Sequence, residues 1–467
     1  MRESDNAHGQ RAVAADGRHV IAGGRRPAPW GLVPRRVVPR VVPRRVAALA
    51  AVSAAGCLVI AACSSSAPTS SGAAGQPSGK SSGAAVTAAS AALSITPVNG
   101  ARGANPAKGV TVKASDGKIQ SVTVTAGHDA VSGSLNSAHT VWQSSWALQP
   151  SRSYTVHATA VNAAGKTVSS VSSFRTLTPT ATNTAMIFEG YQQSYGVGIP
   201  IRLTFSSPVT NRAAVERSLE VTSSKPVTGA WYWDGDQTLY FRTMNYWPAN
   251  TTVSFDGHLA GVEASPGVYF TTDLTQTFDI GPSLIVVAST KTHYANVYYQ
   301  GKLWGHWPIS TGRPGLDTVD GTYITLEKGN PVRMVGNGYN ELVNYAVRFT
   351  YSGDYLHSAP WSVGEQGVVN VSHGCVNLSP EHAAMYYNLA TPGDPVTIIG
   401  SPKAGRWDDG FTVWFLSWKQ LLKGSALGMA VQAGPSGSTF VSPSAVTEQP
   451  QTTRLAGPKP DNSAAQS

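Results

Sequence analysis

The stretch Val371-Ser-His-Gly-Cys-Val-Asn-Leu378 contains Cys375, which follows a glycine directly and a histidine by two residues. The other cysteines of the chain, Cys57 and Cys63, lie in an apolar segment near the N-terminus, so Cys375 is the cysteine that can present a free thiol after export. A second histidine, His357, lies 18 residues upstream of Cys375. A Cys/His pair is the minimum apparatus for acyl transfer through a thiol, so Cys375 is a candidate nucleophile.

The chemistry of such a pair depends on removing the thiol proton, because a free thiol with a pKa of about 8.5 is only slightly ionised at neutral pH. Gly374 leaves room for a substrate carbonyl, and the N–H groups of Gly374 and Cys375 are candidate donors to an oxyanion. The residue pattern leaves two candidate bases. His373 would share a strand face with Cys375, whereas His357 must be brought near by the fold. A metal site formed by these residues and His382 lacks the usual ligand spacing.

Two stretches together resemble the signature of L,D-transpeptidases, which cross-link bacterial peptidoglycan. They are Tyr351-Ser-Gly-Asp-Tyr-Leu-His-Ser-Ala-Pro-Trp361 and Val371-Ser-His-Gly-Cys-Val-Asn377, within a resemblance from about Pro282 to Gly400. The resemblance implies a β-rich catalytic domain and a cysteinyl thioester formed from a donor tetrapeptide stem. An acceptor stem then resolves the thioester into a 3→3 cross-link, and this chemistry needs no cofactor.

The same resemblance implies roles for individual residues. Cys375 would be the nucleophile, His357 would be the general base and acid, and the backbone carbonyl of Ser358 would orient the imidazole. Further residues are expected to contact the substrate: Tyr339, Ser352, Gly353, Asn377, Met334, Trp361 and His373.

Two alternatives to cross-linking stay open, together with departures from the family pattern. Water as acceptor would make the enzyme an L,D-carboxypeptidase, and a chain without activity would be a cell-wall-binding lipoprotein.

Only Val335-Gly-Asn-Gly338 separates Met334 from Tyr339, where related enzymes often carry a longer flap. The segment Asp317–Tyr323 lacks the proline often found in the corresponding turn. Carbapenem-type β-lactams are expected to be covalent inhibitors.

The charge distribution argues against a nucleic-acid partner. The net charge of the chain is +9, but residues 1–46 hold ten arginines and three acidic residues, which leaves the rest of the chain at only +2. The part of the chain after residue 46 is so close to neutral that it lacks the basic surface that nucleic-acid binding requires.

The N-terminal segment has the pattern of an export signal. Arginines precede the uncharged run from Val46 to Ala62, and Ile60-Ala-Ala-Cys63 resembles a lipobox. We therefore predict a signal peptide at 1–62 and lipidation of Cys63, which would anchor the protein on the outer face of the cell membrane. An uncleaved membrane anchor is the alternative. Residues 63–92 are mainly Ser, Gly, Ala and Pro and predict a flexible linker.

Alternating apolar residues beyond the linker predict a mainly β protein. Segments such as Tyr154-Thr-Val-His-Ala158 are typical of half-buried strands, and Asp116-Gly117, Asn162-Ala-Ala-Gly165 and Asp234-Gly235 predict hairpin turns. We expect two immunoglobulin-like β-sandwich modules, a catalytic domain with a short helix, a small C-terminal subdomain and a disordered tail. Their predicted bounds are 93–180, 181–278, 279–400, 401–435 and 436–467.

Aromatic residues and one helix complete the prediction. Trp231, Trp233 and Trp247 favour core positions, with glycan binding as the alternative. After the candidate nucleophile, Ser379 can cap a helix in which Pro380 takes the first position. The subdomain from 401 carries three tryptophans, which are expected to pack onto neighbouring modules: Trp407, Trp414 and Trp418.

Overall fold

A computed structural model describes residues 90–336 and 339–446 of this chain. The predicted signal peptide, Cys63, nearly all of the linker and residues 447–467 lie outside the described residues. The described ranges are built mainly from strands, which confirms the predicted fold class. No helix in those ranges is long and apolar enough to cross a membrane.

The first module is a sandwich of two sheets. Its strands are β1 Ala92–Thr96, β2 Arg102–Ala104, β3 Thr111–Ser115, β4 Lys118–Ala126, β5 Asp129–Ala130, β6 Gly133–Leu135, β7 Val141–Ser144, β8 Ser153–Val161 and β9 Thr167–Thr176. One sheet has the order β1-β3-β7-β6, and the other has the order β2-β9-β8-β4-β5. Alternate residues of β8, including Tyr154 and Val156, are buried between the sheets.

Two of the predicted turns in this module have different outcomes. Asn162-Ala-Ala-Gly165 joins β8 to β9, which pair antiparallel, so that hairpin is confirmed. The hairpin predicted at Asp116-Gly117 is wrong, because β3 and β4 lie in different sheets and the turn carries the chain from one sheet to the other. Asp116 does adopt the positive φ of 53° that a tight turn requires.

The second module contains one short helix and strands that belong to three sheets. They are β10 Ala181–Asn183, β11 Ala185–Ile187, β12 Ser194–Tyr195, β13 Ile201–Phe205, α1 Arg212–Arg217, β14 Leu219–Ser223, β15 Val227–Asp234, β16 Thr238–Thr243, β17 Thr251–Gly257, β18 Glu263–Ser265, β19 Val268–Phe270 and β20 Leu274–Ile280. β15 and β16 fold back at Asp234-Gly235, which confirms the predicted hairpin.

The three tryptophans of this module belong to its core. Trp231, Trp233 and Trp247 are all buried, so the glycan-binding alternative is wrong for these side chains. The indole N–H groups of Trp233 and Trp247 donate within the protein, to Glu216 Oε1 at 2.8 Å and to the Ile199 carbonyl at 2.7 Å. A buried indole with an internal hydrogen bond stabilises the core and offers no face to a sugar.

Among the described residues, the region expected to be catalytic contains two sheets, a hairpin, one α-helix and a 3-10 turn at Pro360–Ser362. The elements are β21 Leu284–Ser289, β22 Tyr294–Tyr299, β23 Lys302–Pro308, β24 Gly321–Ile324, β25 Glu327–Gly329, β26 Val332–Gly336, β27 Tyr339–Val343, β28 Ala346–Arg348, β29 Tyr355–Ser358, β30 Val376–Leu378, α2 Pro380–Leu389 and β31 Pro395–Ile399. The sheets have the orders β23-β22-β21-β31-β24 and β25-β28-β29-β30, and β26 pairs with β27.

Helix α2 follows β30 directly and forms as the sequence predicted. The Ser379 side chain accepts a hydrogen bond from the His382 N–H at 3.2 Å, and Pro380 occupies the first position. The buried Tyr386 joins the apolar core of the catalytic region. A capped helix with a buried face fixes the end of β30, and therefore the strand that begins one residue after Cys375.

The C-terminal segment returns to the second module. It forms a 3-10 turn at Thr412–Phe415, α3 Trp418–Lys423, β32 Ala430–Gly434, β33 Gly437–Val441 and a second 3-10 turn at Pro443–Ala445. β32 pairs with β15, so the segment adds two strands to the sheet β11-β13-β16-β15-β32-β33. The tail predicted from 436 is therefore wrong over β33, because that strand finds a partner in β32.

Buried polar contacts hold this segment in place. The Arg242 guanidinium donates to the carbonyls of Val413 at 3.1 Å and Leu416 at 2.7 Å. The Trp414 indole N–H donates to the Gly198 carbonyl at 2.7 Å. Together with the buried Trp418, these contacts make the C-terminal segment part of the core of the second module.

Candidate active site

Two parallel strands bring the two halves of the sequence motif together. β29 pairs with β30 in a register that sets His357 opposite Asn377 and Ser358 opposite Leu378. Cys375 lies immediately before β30. The fold therefore places the upstream histidine beside the segment of the candidate nucleophile, although the two residues are far apart in sequence.

His357 is held in one tautomer. Its side chain is buried, and its Nδ1 lies 2.9 Å from the Ser358 carbonyl oxygen. Because a carbonyl can only accept, Nδ1 carries the hydrogen and Nε2 keeps a free lone pair. Burial lowers the pKa of His357, an effect that the Ser358 hydrogen bond opposes, so the imidazole is neutral at pH 7 and can accept a proton.

Cys375 is a partly exposed residue that lines a cleft, and its sulfur lies 3.8 Å from the Gly353 carbonyl oxygen. Burial of the sulfur, followed by the negative charge of Asp354, raises the thiol pKa to about 12. The resting thiol is therefore protonated, and it shares the cavity with a neutral imidazole. Attack on a substrate requires transfer of the thiol proton to a base.

The turn before Cys375 is fixed by hydrogen bonds from two hydroxyl groups. Ser372 Oγ donates to the Cys375 carbonyl at 2.6 Å and accepts from the Gly374 N–H at 3.1 Å. Thr318 Oγ1 donates to the Gly374 carbonyl at 2.6 Å. Since the Gly374 N–H is engaged by Ser372, the Cys375 N–H remains as the candidate oxyanion donor.

Gly374 has a backbone conformation that strongly favours glycine. Its φ is +136°, and a Cβ at this position would lie 2.7 Å from Asp354 Oδ1. Both the torsion and the close carboxylate disfavour any larger residue. The sequence predicted that Gly374 leaves room for a substrate carbonyl. The structure adds that the Asp354 carboxylate lies close to this residue.

A cavity of about 380 Å³ opens over the thiol and contains most of the predicted site residues. The hairpin β26–β27 contributes Met334 and Tyr339, and the Tyr339 ring lies 4.7 Å from the His373 ring. Trp361 is 56 % exposed at the rim. The cavity is lined by Met334, Tyr339, Glu341, Val343, His357, Trp361, Ser362, Glu365, Val371, Ser372, His373, Cys375 and Asn377.

Asn377 and Ser352 have surroundings that the sequence did not foresee. The Asn377 side-chain amide is buried and donates to Ser362 Oγ at 3.0 Å. Ser352 does not line the cavity, because its hydroxyl donates to Asp409 of the C-terminal segment. The Gly353 carbonyl faces the Cys375 sulfur, so this residue touches the candidate nucleophile itself.

Asp354 is a residue of the site that sequence reasoning missed. Burial, with the nearby charge of Asp409, raises the pKa of Asp354 to about 6, while Lys403 and Arg348 oppose the shift. The residue lies inside the recognised motif, but nothing in its spacing indicates that its carboxylate reaches Gly374. Other lining residues without an earlier assignment are Glu341, Val343, Ser362, Glu365, Val371 and Ser372.

The metal-site alternative has no support from the geometry. The His382 ring stacks on Trp307, with ring centroids 4.8 Å apart, and it does not line the cavity that holds Cys375. Within residues 90–336 and 339–446, no group of three or more His, Cys, Asp or Glu side chains is placed to bind a metal ion.

Comparison with known families agrees with this architecture. Residues 283–398 match the L,D-transpeptidase catalytic domain, and residues 101–263 match the bacterial Ig domain. L,D-transpeptidase 2 of Mycobacterium tuberculosis is 31% identical over 349 residues, which cover 72% of this chain and 85% of that protein. The chain therefore belongs to the L,D-transpeptidase family.

Two further similar proteins cover less of the chain. L,D-transpeptidase 1 of Mycobacterium tuberculosis is 39% identical over 215 residues, or 44% of this chain and 80% of that protein. A solved structure of the LD transpeptidase LdtMt1 in complex with imipenem is 35% identical and covers 47% of this chain and 100% of its own, with a TM-score of 0.41.

Proposed function

We propose that the protein forms 3→3 cross-links between peptidoglycan stem peptides through a thioester on Cys375. The observation that carries this proposal is the register of β29 and β30, which sets a neutral, oriented His357 beside the segment of the thiol. Membership of the L,D-transpeptidase family supports peptide stems as substrates. Thioester chemistry needs no metal or organic cofactor, so none is proposed.

In the first half-reaction, Cys375 attacks the carbonyl carbon of the L-centre of diaminopimelate in a donor tetrapeptide. As the C–S bond forms, the thiol proton passes to His357 Nε2, because a thiol with a pKa of about 12 is not ionised beforehand. The Cys375 N–H is the candidate donor to the oxyanion. Collapse of this intermediate breaks the C–N bond, and the imidazolium returns its proton to the departing D-Ala amine.

In the second half-reaction, the side-chain amine of diaminopimelate on an acceptor stem attacks the thioester carbonyl. The amine gives a proton to His357, the C–S bond breaks, and the thiolate recovers that proton. Donor and acceptor are then joined by an amide, and the free thiol is restored. Water in place of the amine would release a tripeptide instead.

Intact-mass analysis of the purified protein tests the proposal directly. Incubation with a carbapenem should add one acyl group, which peptide mapping should locate on Cys375, because the strained lactam acylates an activated thiol. Incubation with a disaccharide-tetrapeptide should yield a 3→3 dimer and free D-Ala. Absence of an adduct and of a dimer contradicts the proposal, and a tripeptide as the sole product identifies a carboxypeptidase.

We also propose that the mature protein begins at Cys63 and is held by lipid on the outer face of the cell membrane. The lipobox-like Ile60-Ala-Ala-Cys63 supports this proposal. Each buried methylene adds about 0.8 kcal/mol of membrane affinity, so two or three acyl chains anchor the protein firmly. A linker of about 30 residues would then span about 30 Å as a flexible coil.

Cys63→Ala is expected to move the protein out of the membrane fraction or to block signal processing, while the purified protein keeps its activity. Cys57→Ala is the matched control and should change neither property, since Cys57 lies inside the apolar run. Fractionation and mass spectrometry of the N-terminal peptide measure the outcome. Normal processing and membrane retention of Cys63→Ala, with no lipid on the native form, would show that the run is an ordinary signal or anchor.

A further inference from the structure

The C-terminal segment touches the loop that faces the thiol. The Ser352 N–H donates to Asp409 Oδ1 at 2.6 Å, and Ser352 Oγ donates to Asp409 Oδ2 at 2.7 Å. Both oxygens of one carboxylate are therefore used by one residue of the loop. A carboxylate that accepts two hydrogen bonds in this way fixes the position and the orientation of its partner.

The next two residues extend the contact. A Cβ at Gly410 would lie 3.3 Å from the Phe349 carbonyl oxygen, so the backbone of the segment approaches the loop closely. The Phe411 ring lies 6.5 Å from the ring of Tyr351 and 4.9 Å from that of Phe188 in the second module. Three consecutive residues, 409–411, thus pack against the start of the loop.

The loop itself is short and internally bonded. Thr350 Oγ1 accepts from the Gly353 N–H at 3.2 Å and from the Asp354 N–H at 2.7 Å. Gly353 has a φ of +109°, and its carbonyl lies 3.8 Å from the Cys375 sulfur. A displacement of Ser352 would therefore move the carbonyl that receives the thiol hydrogen.

We propose that Asp409 is a positioning residue for acyl transfer, which acts by holding the loop Thr350–Asp354 against Cys375. The inference rests on the proposed function, because it requires Cys375 to be the nucleophile. Ser352 then contributes through its bonds to Asp409 and not through contact with the donor peptide. Attack geometry is sensitive to displacements of about 1 Å, so a residue remote from the substrate can control the rate.

The neighbouring residue supplies a matched control. Asp408 is exposed and pairs with Arg406 at 2.7 Å, whereas Asp409 is 7 % exposed and bonds to the loop. Asp408→Asn removes the same charge one position away and leaves the loop contact intact. Asp409→Asn keeps the shape and an oxygen that can accept from the Ser352 N–H, whereas Asp409→Ala removes both acceptors.

The test is the rate of carbapenem acylation, separated into non-covalent affinity and the first-order acylation step. We expect Asp409→Ala to slow the acylation step by about tenfold or more while affinity stays within about threefold, since Asp409 does not line the cavity that holds Cys375. Asp409→Asn should recover most of the rate, and Asp408→Asn should match the unaltered protein. Hydrogen exchange of the 350–354 amides should accelerate only in Asp409→Ala.

The outcomes are distinct. A folded Asp409→Ala that acylates at the unaltered rate overturns the inference, whether or not its hydrogen exchange accelerates. If Asp409→Ala does not fold, Ser352→Ala replaces it, because this exposed residue then loses only the hydrogen bonds of its hydroxyl to Asp409 and Thr350. It should slow acylation by about threefold or more, and an unchanged rate overturns the inference. Failure of the unaltered protein to form an adduct on Cys375 refutes the proposed function instead.

Discussion

Cys375→Ser is expected to abolish cross-linking and carbapenem acylation, with a loss of at least about 10³-fold in rate. A serine hydroxyl has a far higher pKa than a thiol, and His357 is a weak base because burial lowers its own pKa. The imidazole of this site therefore removes the hydroxyl proton far less readily during attack than it removes the thiol proton. Intact-mass analysis after long incubation with a carbapenem measures the loss.

The folding of this variant must be shown alongside its activity. Cys375 is partly exposed and packs against the small cluster formed by Met334, Val343 and Ala346, so the change of one atom should leave the thermal midpoint almost unaltered. Retention of more than a few per cent of activity, in a protein with an unaltered midpoint, would rule out the covalent mechanism.

His357→Ala is expected to lower the rate of acylation by about 10²–10⁴-fold, the range for loss of a general base. His373→Ala should retain most of the rate, because His373 is exposed at the cavity wall beside Tyr339. The comparison uses the same single-turnover measurement for both variants. If His373→Ala loses the greater rate, then His373 is the base and the assignment to His357 is wrong.

The pH profile tests whether the base must be neutral to act, and it does not separate His357 from His373, whose pKa is also lowered. The reactive imidazole must be neutral, so the rate should fall only as the pH drops through the pKa of His357. Burial places this pKa below the usual 6.5, and the acidic limb should therefore lie below that value. A limb above 6.5 would contradict His357 as the base.

Short-range signals in the sequence predicted those elements in which local chemistry decides the structure. The Ser379 cap with Pro380 predicted α2, and Asp234-Gly235 predicted the hairpin of β15 and β16. The same dipeptide at Asp116-Gly117 led to a wrong hairpin prediction, because a tight turn can either join two paired strands or carry the chain from one sheet to the other. Only long-range pairing decides between the two, and no local pattern encodes it.

The candidate site likewise contains contacts that the sequence predicted and long-range contacts that it did not. The resemblance to L,D-transpeptidases predicted that His357 meets Cys375, whereas the residue pattern alone left the base open between His357 and His373. Asp409 lies 57 residues after Ser352 and carries no motif, so its contact could not be inferred. The polar composition of the C-terminal residues predicts disorder, yet Gly437–Val441 forms a strand because β32 offers an edge to pair with.

The pairing of β32 with β15 has a consequence for the order in which the protein can fold. Val227 pairs with Ala433, so two neighbouring strands of one sheet are separated in the sequence by the whole catalytic region. During synthesis or export from the N-terminus, the edge of β15 that pairs with β32 stays unpaired until β32 has emerged. Such distant pairing is slow and leaves an aggregation-prone edge exposed, so the second module is completed after the catalytic region and not before it.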